Sequence, residues 1–256
     1  MGTRMDADAI ESSNLKKEYG DTTAVNGLDL SISEGTVYGL LGPNGSGKTT
    51  TMRMLTTLTK PTSGEAYIMG DSIEDREAVV EHIGYLSEES PLYDELTARE
   101  QLEYIADLRD IPEDVARERI EEFLSRFGLS EDADDRISTY SKGMRRKTSI
   151  TQTVLHDPDV VFFDEPTSGL DPRAARTVRE LVNELSEEDM TILVSTHILP
   201  VVEKIADVVG VLYDGRLVAE GETDELKSRA ETGTLEDVFL QVTTEVGAEG
   251  EKEEPG

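Results

Sequence analysis

The segment "GLLGPNGSGKTT", Gly39 to Thr50, sets the tightest limits on what this chain can fold into. Its Gly42, Gly47, Lys48 and Thr49 stand at the fixed positions of a phosphate-binding loop. Gly42, Gly45 and Gly47 lack the Cβ atoms that keep a backbone away from a bulky anion. The run Gly42, Pro43, Asn44, Gly45, Ser46, Gly47 can therefore curl around phosphate oxygens with its N–H groups turned inward. Lys48 adds a point charge for the β and γ phosphates of a nucleotide, and Thr49 a hydroxyl for Mg²⁺. The helix that starts there, with Thr50 in its first turn, contributes its positive dipole end. The flanks agree: "TVYGLL" reads as a short buried strand, and "TTTMRMLTTL" has apolar residues at helical spacing.

A second motif narrows the chemistry. "VVFFDEPTSGLDP" carries four consecutive apolar residues bounded by charges, the pattern of a strand buried on both faces of a parallel sheet. Asp164 and Glu165 fall at its carboxyl end, where open α/β sheets keep their ligands. Asp164 suits Mg²⁺ held beside the phosphates; Glu165 suits a general base for the attacking water, a role worth typically 10² to 10⁴ in rate.

Around these motifs the chain reads as strands, then helices, then strands. Asn26-Gly27 between alternating apolar residues signals a hairpin, as does Asp214-Gly215 in "VGVLYDGRLVAEG". Thr97 with Glu100 forms a capping box ahead of one amphipathic helix, and Pro112 opens a second that ends at Gly128. A helical insertion from about Thr97 to His156 thus interrupts the strands. "MTILVSTH" is another buried strand. The acidic, glycine-bearing end, 241–256, is expected to be disordered, which leaves one folded domain over 8–240.

Charge adds a different constraint: 55 Asp plus Glu against 25 Lys plus Arg leave a formal net charge of −30. Such self-repulsion is screened at high salt, where the Debye length falls to ~3 Å at 1 M. The excess resembles proteins of organisms that keep molar salt in the cytoplasm, and implies a halophilic, archaeal setting. It also excludes sequence-independent binding to nucleic acid, which needs clustered basic side chains. With no cysteine, disulfides and thiolate metal sites are unavailable. No apolar run approaches the ~20 residues needed to cross a bilayer, and the N-terminus lacks the apolar core of a signal peptide.

Taken in order from about Asn14 to Gln241, these motifs resemble the nucleotide-binding subunit of an ABC transporter. The resemblance implies an α/β P-loop NTPase (RecA-like) fold: a mostly parallel sheet core, an antiparallel β subdomain and an inserted helical subdomain. Tyr19 matches an aromatic that stacks on adenine. "YSKGM", Tyr140 to Met144, stands at the family's signature with Ser141 and Gly143 kept. "SGLD", Ser168 to Asp171, matches the loop that contacts a second subunit, and His197 matches the switch histidine that reads the γ-phosphate. Register with Leu92-Tyr93 places Glu88 on the family's glutamine position, which touches Mg²⁺ and the membrane partner. A carboxylate there can still ligate Mg²⁺. His82 and His156 match nothing and are read as structural.

What the resemblance implies beyond the fold is an ATPase with ATP and Mg²⁺ held between two subunits, head to tail in a homodimer or a heterodimer with a related chain. Ser141, Gly143 and Asp171 then serve the partner's nucleotide. An integral-membrane permease at the cytoplasmic face of the membrane is the implied partner. "LEDVFLQVT" near the end, together with "YSKGM", resembles export-type subunits. A kinase or GTPase reading leaves Ser141, Asp171 and His197 without a task, and the guanine-recognition pattern N-K-x-D is absent from the sequence.

Overall fold

The computed structural model describes residues 8–89, 91–188, 190–229 and 234–250. Its strands are β1 (Asp8–Tyr19), β2 (Thr22–Ser33), β3 (Val37–Leu41), β4 (Ser63–Ile68), β5 (Asp71–Ser72), β6 (Ile83–Leu86), β7 (Val160–Asp164), β8 (Thr191–Thr196), β9 (Val208–Tyr213) and β10 (Arg216–Glu222). Four of them form an antiparallel sheet in the order β2-β1-β4-β5. The other six form the central sheet, β10-β9-β3-β8-β7-β6, parallel throughout except for the edge strand β10.

Residues of β3, β7 and β8 are buried without exception because both faces of the central sheet are covered. Alternate side chains enter different cores, as the period of two demands. Val161, Phe163, Ile192 and Val194 pack toward the helical side, while Val160, Phe162 and Leu193 pack toward the antiparallel sheet. Phe162 and Phe163, adjacent in sequence, thus secure two layers, each contributing roughly 1.5–3 kcal/mol by burial.

Helices α1 (Lys48–Leu55) and α2 (Arg76–His82) follow β3 and β5. The helical insertion holds α3 (Ala98–Leu108), α4 (Glu113–Arg126) and α5 (Lys142–Val154). Thr97 accepts from the Glu100 amide and Glu100 reaches back to the Thr97 amide, so the expected capping box opens α3. Packing across the insertion comes from Leu102, Ile120, Leu124 and Ile150. Finally α6 (Pro172–Ser186), α7 (Leu199–Ile205), α8 (Thr223–Arg229) and α9 (Leu235–Gly250) alternate with the last strands.

Two expectations are corrected. Asn26-Gly27 does not turn a hairpin: β1 and β2 turn at Gly20-Asp21, and Asn26-Gly27 lies inside β2. There the pairing steps from Leu15 opposite Leu28 to Lys16 opposite Asn26, leaving Gly27 as the extra residue of a bulge with φ of 73°. A bulge uses the same positive φ that an Asn-Gly turn would, so the local signal is shared. At Asp214-Gly215, where both φ angles are positive, the hairpin does form between β9 and β10. The second correction concerns the tail, which is helical from 241 as far as Gly250 rather than disordered. Leu235, Val238, Phe239 and Val242 pack against Val209, Val211 and Leu226, and the helix they anchor propagates beyond them. Residues 251–256 of that tail lie outside the described residues.

His82 and His156 act at the outer strand β6. The His82 ring bridges two acids, Nδ1 2.6 Å from Asp159 Oδ2 and Nε2 3.2 Å from Asp71 Oδ2. The Asp159 hydrogen bond leads the effects that raise its pKa. His156 Nε2 lies 2.9 Å from the Ile83 carbonyl, which requires the Nε2–H tautomer, and its Nδ1 is buried without a partner. Burial, reinforced by Arg109, lowers its pKa to about 4. The two rings therefore respond oppositely to pH. His82, with a raised folded pKa, contributes stability at low pH that is lost as pH rises through that pKa. His156 is protonated in the unfolded chain below about pH 6.5 and in the fold only near 4, so it withdraws stability as pH falls across that window. In urea titrations, His156→Gln should lose less stability than the parent between pH 6.5 and 4, by on the order of 2 kcal/mol; parallel curves would refute the assignment.

Candidate functional site

Four parallel strands end flush at one edge of the central sheet. Leu41 of β3 pairs with Thr196 of β8, Ser195 with Asp164 of β7, and Phe163 with Leu86 of β6. Whatever follows each strand is thereby brought to one site: the phosphate loop after β3, His197 after β8, Glu165 after β7, and Ser87-Glu88 after β6.

The phosphate loop is pinned from both sides. The Gly42 amide donates to the Thr196 carbonyl at 3.3 Å, and the Gly215 amide donates to the Ser46 carbonyl at 3.0 Å. A Cβ at Gly42 would come 2.3 Å from the Leu212 carbonyl oxygen, and one at Gly47, where φ is 107°, 2.4 Å from that of Ala24. Helix α1 begins at Lys48 with no side-chain cap and no acid in its first turn, so its leading N–H groups are left for an anionic ligand. The Ser46 hydroxyl is buried inside the loop without a hydrogen-bond partner. These features fit the phosphates of a nucleotide.

Lys48 is buried, with Nζ donating to the Gly42 and Pro43 carbonyls at 2.8 and 3.1 Å and lying 3.7 Å from Glu165 Oε1. Burial lowers its pKa, against the opposing pull of Glu165 and Asp164. Asp164 is 1% exposed. One carboxylate oxygen accepts from the Ser195 hydroxyl and, at 3.3 Å, from that of Thr49; the other accepts from Tyr85 at 3.4 Å. An acid and a hydroxyl held together at the mouth of a phosphate loop are the donor set Mg²⁺ takes. Tyr85 is pushed up to about 12, chiefly by burial and then by Asp164, and remains a proton donor.

Glu165 is the most constrained group. Its Oε2 accepts from Thr196 Oγ1 at 3.1 Å, and its Oε1 lies 2.8 Å from His197 Nδ1. Its backbone adopts φ of 47°, the left-handed region. An acid joined to an exposed imidazole on one side and near a lysine on the other can accept a proton from water at the phosphate loop.

The structure thus gathers Lys48, Thr49, Asp164, Glu165 and His197. The Glu88 carboxylate lies off this cluster: its Oε1 accepts from Ser168 Oγ at 3.3 Å, and its charge acts on Lys48 and Arg146 through space. Ser141 and Asp171 are exposed and cap their own helices. Ser141 accepts from the Met144 amide, and Asp171 from those of Arg173 and Ala174. A Cβ at Gly143 would sit 3.2 Å from that of Ala174, so the two helix starts adjoin. Tyr19 is 50% exposed, with the Lys17 ammonium 5.0 Å from its ring centre. Sequence reasoning missed Ser195, Thr196, Tyr85 and Arg146. Ser195 and Thr196 stand beside His197 in "VSTH", where a strand ending at a ligand edge is the available signal.

The family model described as ABC transporter matches residues 25–168, from β2 through the loop after Glu165. The chain belongs to the ABC transporter ATP-binding family. The daunorubicin/doxorubicin resistance ATP-binding protein DrrA of Streptomyces peucetius is 41% identical over 228 residues, covering 89% of this chain and 69% of that protein. The bacitracin transport ATP-binding protein BcrA of Enterococcus faecalis is 38% identical over 231 residues, 90% of this chain and 74% of its own. Among solved structures, an ATP-binding subunit of an ABC transporter superposes with a TM-score of 0.82 at 29% identity, over 92% of this chain and 99% of the other. The cbiO1 protein of Clostridium perfringens, part of the ABC transporter complex cbiONQ, gives 0.80 at 26% identity, over 96% and 98%. This ABC subunit is an ATPase.

Among the described residues, the Glu88 carboxylate bonds to Ser168 and to no side chain of the cluster around Lys48 and Glu165, so it stands at that cluster's margin. In a steady-state phosphate-release assay, Glu88→Gln should retain activity within roughly tenfold of the parent, about 1.4 kcal/mol. A loss beyond about a hundredfold would show that the carboxylate itself is needed.

Proposed function

We propose that the chain is one of two ATP-hydrolysing subunits that close head to tail around two nucleotides and drive an integral-membrane permease at the cytoplasmic face, in the direction of export. The observation that carries this reading is the division of the site. Lys48, Thr49, Asp164, Glu165 and His197 converge, while Ser141, Gly143 and Asp171 sit on adjoining helix starts exposed to solvent. An exposed helix N-terminus with a small-residue lead is suited to a phosphate presented by another subunit.

Within one subunit, Lys48 and the loop amides bind the β and γ phosphates, and Tyr19 offers its exposed ring to adenine. Glu165 takes a proton from the attacking water, and His197, bonded to it, registers the γ-phosphate. Thr49 and Asp164, with Glu88 as the outlying third group, would hold Mg²⁺, which when bound neutralises phosphate charge. Ser141, Gly143 and Asp171 complete the partner's pocket, in a homodimer or in a heterodimer with a related subunit. Hydrolysis removes the bridging phosphate and the halves part.

For the permease, the half-exposed cluster of Leu92, Tyr93, Leu96 and Tyr104 lies beside the Glu88 loop and offers an apolar landing. No helix among the described residues is long and apolar enough to cross a membrane, so the attachment proposed is peripheral. Export is supported by the drug-resistance and bacitracin-transport relatives. Nucleic acid is not a partner of so acidic a chain. The charge of −30 supports a halophilic setting, an archaeal one on this reading, since arginines such as Arg126, shared between Glu184 and Glu188, offset only part of the acidic excess.

Two outcomes follow. Glu165→Gln with ATP and Mg²⁺ should accumulate a dimer on sizing columns while the nucleotide-free protein stays monomeric; a persistent monomer would count decisively against the two-subunit site. The melting temperature should rise by at least about 5 °C between dilute buffer and molar KCl, roughly 2 kcal/mol for a chain of this size, whereas a flat response would remove the salt adaptation.

A further inference from the structure

Among the described residues, one buried cation has no task in the mechanism above. Arg146 is 9% exposed, on α5, five residues beyond the Ser141 that caps that helix. Its Nη1 donates to the Ser87 carbonyl at 3.1 Å, and its Nη2 to the carbonyls of Glu88 at 3.1 Å and Glu165 at 3.3 Å. All three acceptors are backbone oxygens, and they belong to two loops: the one after β6 and the one after β7. Burial lowers the arginine's pKa, against the pull of Glu88 and Asp164.

A buried guanidinium hydrogen-bonded only to carbonyls is costly, and an apolar side chain would fill the same space at lower cost. What it supplies is a fixed planar fork that spans two loops at once. A cleft of about 450 Å³ beside it, bordered by Glu88, Leu92, Lys142, Ser168 and Leu170, leaves those loops room to shift. Ser168, in the segment following Glu165, also donates to Glu88. Arg146 thus links the backbone of Ser87-Glu88, and α5 itself, directly to the backbone of Glu165.

We infer that Arg146 is a positioning residue: it ties the loop bearing Glu88, and the helix bearing Ser141, to Glu165, and so holds the Glu165 carboxylate where it serves hydrolysis. This rests on Glu165 being the general base. Among the described residues, the hydrogen bonds of Arg146 go to the loops after β6 and β7 and not to the phosphate loop, so nucleotide binding should be spared.

The test combines Arg146→Met, Arg146→Lys, Glu165→Gln and the double variant Arg146→Met/Glu165→Gln, each assayed for kcat and KM, for affinity toward a fluorescent ATP analogue and for melting temperature. Arg146→Met should lower kcat by about 10- to 100-fold with KM and analogue affinity within about threefold, and Arg146→Lys should recover part of that loss. The double variant should turn over as slowly as Glu165→Gln alone, within about threefold in single-turnover measurements, because the arginine acts through the glutamate. An Arg146→Met kcat within threefold of the parent overturns the inference. So does a further tenfold loss in the double variant, or a joint fall of kcat, affinity and melting temperature with lysine no better than methionine. Should Glu165→Gln keep the parent rate, the general-base assignment itself fails, and the positioning role falls with it.

Discussion

The flush ending of β3, β8, β7 and β6 is the constraint on which the rest depends. Parallel neighbours lie about 4.8 Å apart, so the phosphate loop and Asp164, separated by β8, face each other across roughly 10 Å, a gap spanned by side chains. Strand β8 fills it. Ser195 donates to Asp164, Thr196 donates to Glu165, and His197 joins Glu165 from beyond the strand end. A slip of one residue in the β7–β8 register would turn every one of these donors to the opposite face, and the buried Phe162 and Phe163, each committed to a different core, oppose such a slip.

Electrostatics sets a second condition. A chain with a net charge of −30 repels an anionic nucleotide at long range, so attraction must come from close by. Lys48 and the uncapped start of α1 supply it within a cluster that also holds Asp164 and Glu165. Screening by salt shortens the repulsion to a few ångströms but hardly touches groups as buried as these. High ionic strength therefore favours the site over the surface.

Much of this was legible because the residues that make the strands also carry the motifs. "VVFFDEP" and "TVYGLLGPNGSGKTT" each open on a short apolar run followed at once by its functional residues, and the shortness of the run with its β-branched and aromatic content favours a strand buried on both faces. Strand β6 escapes because "IGYL" is four residues long, includes a glycine and sits at the sheet edge, with too little periodicity to register. The Asn26-Gly27 bulge misleads since positive φ is common to bulges and turns. The helical continuation of α9 past 241 depends on contacts with Val209, Val211 and Leu226, far away in the chain. Arg146 is the instructive omission: within Arg145-Arg146-Lys147 it has the look of a solvated basic run, and only the packing of α5 against the sheet edge shows that the middle residue turns inward.

Glu165 closes the argument from structure to chemistry. Its left-handed backbone costs a non-glycine residue roughly 1–2 kcal/mol, and glycine or asparagine would sit there with less strain. The surroundings nonetheless hold it from every side: its amide donates to the Ser195 carbonyl, its own carbonyl accepts from Ser168 and Arg146, and its carboxylate meets Thr196 and His197. Turn geometry alone gives no reason for a glutamate at this position. A carboxylate aimed between a phosphate loop and an exposed imidazole does, and the strain is the energetic mark of a residue kept for its side chain against the preference of its backbone.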